Sequence, residues 1–103
     1  DIIRGWAMDT LNMRLTENID IEYMIHKMML KGWVSVPSIA REFNIPFGQA
    51  NKILMKLTKN VPEGFVLAIN TKDRTPSYRY LLVGDNWEKI TGLKLGKNLT
   101  IVK

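Results

Sequence analysis

The chain has 103 residues, is 46% hydrophobic, and sets 15 basic against 10 acidic side chains for a formal charge of +5. That length suits one small domain with a modest core, and the absence of cysteine excludes disulfides and thiolate metal sites. No apolar run reaches membrane-spanning length and no secretory signal opens the sequence, which starts at Asp1 rather than Met; the expectation is an intracellular piece of a longer protein, nuclear in a eukaryote, cytoplasmic or nucleoid-associated in a bacterium.

Taken in chain order, Ile3, Trp6, Ala7, Leu11 and Leu15 have the spacing of an N-terminal helix within 1–19, with Gly5 weakening it. Its apolar residues, Ile3, Trp6 and Met13 among them, are a candidate surface for a second copy or for the rest of a larger assembly. Asp20 suits the cap of a second helix that places Ile21, Met24, Ile25 and Met28 on one buried stripe and ends at a left-handed Gly32. His26 falls about opposite that stripe and reads as a surface histidine. Trp33 to Ser35 is an extended link, and Ser35 caps a third helix, with Pro37 in its first turn and Ile39, Ala40 and Phe43 inward.

Asn44, Ile45 and Pro46 then redirect the chain. Asn44 tolerates a left-handed backbone, Ile45 fills the angle, and Pro46 starts the next helix without losing a needed donor. This is a helix-turn-helix pattern. In the helix at about 46–59, Ala50, Ile53, Leu54 and Leu57 share the inner face. Gly48, Lys52, Met55, Lys56 and Lys59 point outward, flanked by Gln49 and Asn51.

The run FVLAIN and the run YRYLLV read as two strands joined by the basic, polar loop 71–77. Asp85 suits the cap of a short helix through Trp87 and Ile90, and NLTIVK reads as a last strand, pairing with the hairpin or an edge. The expected fold is α+β: a winged helix-turn-helix with a three-helix core and hairpin wing over 20–83, an extra helix in 1–19 and a C-terminal extension over 84–103.

The inventory argues against an enzyme. With one histidine and no cysteine, neither a Cys/His pair nor a multi-histidine metal site can be built, and no glycine-rich phosphate loop follows a strand. No catalytic residue, cofactor, metal or small-molecule substrate is expected. Asp85 with Glu88 is helix-start chemistry rather than a catalytic pair, and Asn98-Leu99-Thr100 matches a glycosylation acceptor only as a short pattern common by chance.

Charge points elsewhere. Residues 1–46 hold five basic and six acidic groups, whereas 47–103 hold ten basic and four acidic, with no acid between 47 and 62. Lys52, Lys56 and Lys59 suit phosphates or guanine edges, and Gln49 and Asn51 suit adenine. Lys72, Arg74 and Arg79, at or beside the hairpin tip, suit the sugar-phosphate backbone or a minor groove. Lys89, Lys94, Lys97 and Lys103 follow without a role assigned by pattern alone. Double-stranded DNA is therefore the expected partner. The alternative is a module for protein association or homodimerisation within a replication, chromatin or transcription assembly.

The stretch WVSVPSIAREFNIPFGQANKIL, with Trp33, Ile39, Ala40, Phe43, Ile45, Ala50 and Ile53 in register, resembles the helix-turn-helix of winged-helix transcription regulators. Its aromatic lead-in is similar to enterobacterial regulators of the carnitine-operon activator type. The chain from residue 33 onward also resembles the N-terminal winged helix of the small accessory subunit of eukaryotic DNA polymerase delta, with counterparts for QANKIL, the hairpin and the following helix and strand. The first resemblance implies a regulator, the second a protein-interaction module. Pro46 and Gly48 differ from the Ser or Thr that usually begins a recognition helix.

Overall fold

The structure, a computed structural model, describes residues 20–102. The expected N-terminal helix, with Ile3, Trp6 and Met13, lies outside the described residues, as does Lys103. The described residues form an α+β domain of four helices and a three-stranded antiparallel sheet.

Helix α1 covers 20–31. Its buried positions are Ile21, Ile25 and Met29, with Met28 partly buried against the core, while Met24 is 45% exposed. The expected stripe is thus rotated. Successive i, i+4 steps advance by about 40° around a helix, so the middle of the line through Ile21, Ile25 and Met29 lies about 60° from Met28 and about 100° from Met24. His26 is half-buried rather than solvated, its ring 5.3 Å from that of Tyr80. The Gly32 N–H closes on the Met28 carbonyl at 2.9 Å, and Gly32 is not left-handed as expected. The chain leaves α1 by straightening, because Val34 must reach the sheet. Val34, 2% exposed, exchanges two backbone hydrogen bonds with Tyr78, at 2.9 and 2.8 Å.

Helix α2, Val36–Phe43, begins with a reciprocal cap: the Ser38 N–H donates to Ser35 Oγ and the Ser35 N–H to Ser38 Oγ. It ends at Asn44, whose φ of 51° and ψ of 52° are the left-handed values the turn requires. Helix α3, Phe47–Lys59, follows directly. Pro46 is its cap residue rather than its first helical residue, and extended backbone with no side-chain cap bond marks the start. Ala50, Ile53, Leu54 and Leu57 face inward as the spacing predicts.

Strand β1, Phe65–Asn70, pairs with β2, Ser77–Leu82, from Phe65 opposite Leu82 to Asn70 opposite Ser77. A short helix, α4, Trp87–Thr91, takes its cap bond from Asn86, which accepts from the Lys89 N–H at 3.3 Å. The expected cap was Asp85, one residue too early: the Asp85 N–H is instead committed to the Leu82 carbonyl in the turn out of β2. Strand β3, Leu99–Val102, lies antiparallel on the free side of β1, giving the order β2-β1-β3.

Side chains alternate across the strands, so each face of the sheet has its own core. Leu67 and Tyr80 face α1, α2 and α3 in a cluster with Ile25, Met29, Ile39 and Leu54. Val66, Ala68, Leu81 and Leu99 face the other way, under Leu93, Trp33 and Trp87. The Tyr80 hydroxyl donates to the Leu57 carbonyl at 2.8 Å and ties the sheet to the last turn of α3; burial raises the phenol above its ordinary 10.0.

Candidate functional site

The candidate residues are distributed by three local devices. The turn at Asn44 to Pro46 sets α3 beside α2 with its outer side in solvent: Phe47, Gly48, Asn51, Lys52, Lys56 and Lys59 are exposed, and Gln49 is half-buried and engaged in a contact. The hairpin register sets the loop 71–76 at the far end of the ladder from Phe65, the strand residue that follows α3 after residues 60–64, because Phe65 pairs with Leu82 and Asn70 with Ser77. Five residues of strand separate the two ends by about 17 Å. Finally, strand alternation decides which face Arg79 occupies.

Consequently the eight candidate side chains do not form one surface. Lys52 and Asn51 stand together on the exposed side of α3. Lys56, one turn on, reaches α1 instead, its Nζ 3.2 Å from both carboxylate oxygens of Glu22. That exposed pair contributes at most about 1 kcal/mol, but it orients Lys56 toward α1. Lys59, in the last turn, is at the end of the domain away from the loop. Lys72 and Arg74 are exposed in the loop, whose start is fixed by the Lys72 N–H donating to Asn70 Oδ1 at 2.9 Å.

Arg79 departs furthest from expectation. It neighbours Tyr80 in β2 and therefore points to the opposite face of the sheet, where its guanidinium carbon lies 5.6 Å from the Trp33 ring centroid. Its Nε is buried with no hydrogen-bond partner among the described residues, and desolvation lowers its pKa. It does not share a surface with α3.

Two features escape a reading of the sequence. Phe47 is 59% exposed at the head of α3, where an aromatic next to a turn looks like core. Glu22 meets Lys56 across 34 positions of sequence, a separation that carries no local signal. Among the described residues no group of three or more His, Asp or Glu is placed to hold a metal ion, and no helix is long and apolar enough to cross a membrane.

No family model matches the chain, and neither a curated protein nor a solved structure matches it.

Proposed function

We propose that the chain is a winged helix-turn-helix module that binds double-stranded DNA within a larger regulatory or chromosome-associated protein. The observation that carries this reading is α3: it follows a left-handed turn, exposes Lys52 and Asn51, and has no acidic residue of its own. A helix of this kind fits the major groove, where lysine meets phosphate or guanine and asparagine pairs with adenine. The 71–76 loop acts as the wing, with Lys72 and Arg74 on the sugar-phosphate backbone. Lys56 joins only by leaving Glu22, Gln49 only by exchanging its present contact, and Arg79 serves the rear of the sheet instead.

The test is fluorescence anisotropy with mixed-sequence duplex at several salt concentrations. Expected is measurable binding with a log–log salt slope of roughly −3 to −5, the value for a handful of phosphate contacts, and its loss in Lys52→Glu. No binding at low salt removes this reading. Lys56→Gln is the suitable companion variant, since Lys56→Glu would set two carboxylates together at Glu22.

A second reading, protein association, is favoured by α1: Tyr23, Met24 and Leu30 are 58%, 45% and 37% exposed, with Lys27 Nζ 4.7 Å from the Tyr23 ring centroid. Sedimentation of wild type against Tyr23→Ser with Leu30→Ser separates it, because a monomer in both leaves association without support.

A further inference from the structure

We infer that Lys94 and Lys97 form a second phosphate-gripping loop beside the wing, so that backbone contact is made by two adjacent loops rather than one. This rests on the DNA-binding reading and adds to it a pair of residues with no helix or wing motif around them.

The sheet order supplies the juxtaposition. Because β3 lies against β1 with Leu99 opposite Asn70, the turn that leads into β3 is brought to the same end of the sheet as the hairpin loop. The two are joined directly: the Thr71 N–H donates to the Asn98 carbonyl at 3.0 Å. Adjacent strands are about 4.8 Å apart, so the loops are neighbours rather than distant points on one surface.

The turn 94–98 is also held in shape. The N–H groups of Lys97, Asn98 and Leu99 all converge on the Lys94 carbonyl at 3.1 Å, and the Gly96 N–H reaches Leu99 at 2.9 Å. Asn98 Oδ1 accepts from the Lys94 N–H at 2.9 Å. Gly96, at a φ of 84°, supplies the one backbone geometry that a residue with a Cβ adopts only with strain. Backbone and two side-chain roots are thus fixed while the ammonium groups stay in water. That is the arrangement expected for phosphate binding, in which little order has to be gained on contact.

Charge completes the case. Lys72, Arg74, Lys94 and Lys97 are all exposed, and Asp73 is the one acid in the two loops. None of the four cations takes part in an ion pair among the described residues, whereas Lys56 on α3 does. Net of Asp73 the two loops match the three lysines of α3 in charge, but one of those three, Lys56, is spent on Glu22. The loops lie at the end remote from Lys59, which extends the cationic surface past the wing rather than along the helix.

The experiment uses the full chain carrying Lys94→Gln and Lys97→Gln together, with circular dichroism to verify that these two exposed changes leave the fold intact. Anisotropy is read on mixed-sequence duplex across salt. The expected result is a salt slope shallower by about 2 and affinity reduced roughly thirtyfold near 0.15 M salt, equal for unrelated duplex sequences, as for two lost counterion-releasing contacts. If wild type binds and the double variant keeps its slope and affinity, the inference is overturned while the DNA reading stands. If wild type does not bind at low salt, both fall together, and Lys52→Glu then has nothing to abolish.

Discussion

The sheet's two faces are packed by different means. On one, three helices cover Leu67 and Tyr80, and Ile25, Met29, Ile39 and Leu54 are fully buried. On the other, α4 contributes no fully buried residue and only the partly buried ring of Trp87; the rest of the cover over Val66, Ala68, Leu81 and Leu99 is Leu93 and the partly buried ring of Trp33. The first face is closed by three helices, the second by single side chains: Trp33 and Leu93 from links and Trp87 from the start of the short α4. Hence the helix layer has little room to adjust, while the rear layer can relax around a change. The same difference explains why a guanidinium with an unpartnered Nε persists at the rear: Arg79 sits at the border of that looser cover, under Trp33.

Leu54→Ala and Leu99→Ala test the contrast most directly. Both residues are fully buried, so equal packing would give equal losses. We expect Leu54→Ala to cost about 4 kcal/mol, because α2, α3 and the sheet cannot collapse around the cavity, and Leu99→Ala about 2 kcal/mol. Denaturant unfolding measures both. A larger loss at Leu99 would reverse the picture of a firm front and a yielding rear.

Tyr80→Phe sharpens it at the seam between sheet and α3. Removing the hydroxyl costs about 1 kcal/mol, held down because the Leu57 carbonyl also accepts from the Asn60 N–H at 3.3 Å. The phenol's folded value is raised by burial, so the stability it contributes is complete below its ordinary 10.0 and is lost as pH rises through the raised value. Wild type should therefore lose stability in alkali more steeply than Tyr80→Phe, as read by the denaturant midpoint against pH. Parallel curves for the two proteins would remove Tyr80 from the alkaline transition.

The smallest effect is expected at Arg79→Met. The long apolar stem is retained on Trp33 and no ion pair is lost, so stability should change by no more than about 0.5 kcal/mol, or rise slightly as a desolvated charge is removed. A loss above about 2 kcal/mol would mean that the guanidinium holds the rear layer together.

Local chemistry was readable in the sequence where one residue type decides the geometry. Asn44 with Pro46 announced the turn between α2 and α3, Ser35 announced the cap, and the polar run from Thr71 announced the hairpin loop within a residue of its limits. What the sequence did not disclose depends on partners far along the chain. Met24 is as apolar as Met29, and only the angle at which α1 meets the rest of the core exposes one and buries the other. Arg79 looked like a wing residue by position, but a strand turns alternate side chains to opposite faces, and the neighbour that fixes the face, Tyr80, is itself fixed by Leu57 on α3. The side of β1 on which the last strand would lie was likewise undecided until β2 and Val34 had taken the other. Of the candidate site, the residue types were legible and their grouping was not.

That sheet order also bears on how the domain opens. The bonds of β1 to β2 join neighbours in the chain, whereas those of β1 to β3 span all of β2 and α4. Contacts with the longer loop to close form late and release early. Peeling β3 away would leave the helices and the hairpin in place, so amide protons on the β1–β3 ladder should exchange with solvent ahead of those on β1–β2. The turn 94–98 would depart with the strand, which makes one flank of the domain a detachable arm hung on an otherwise persistent frame.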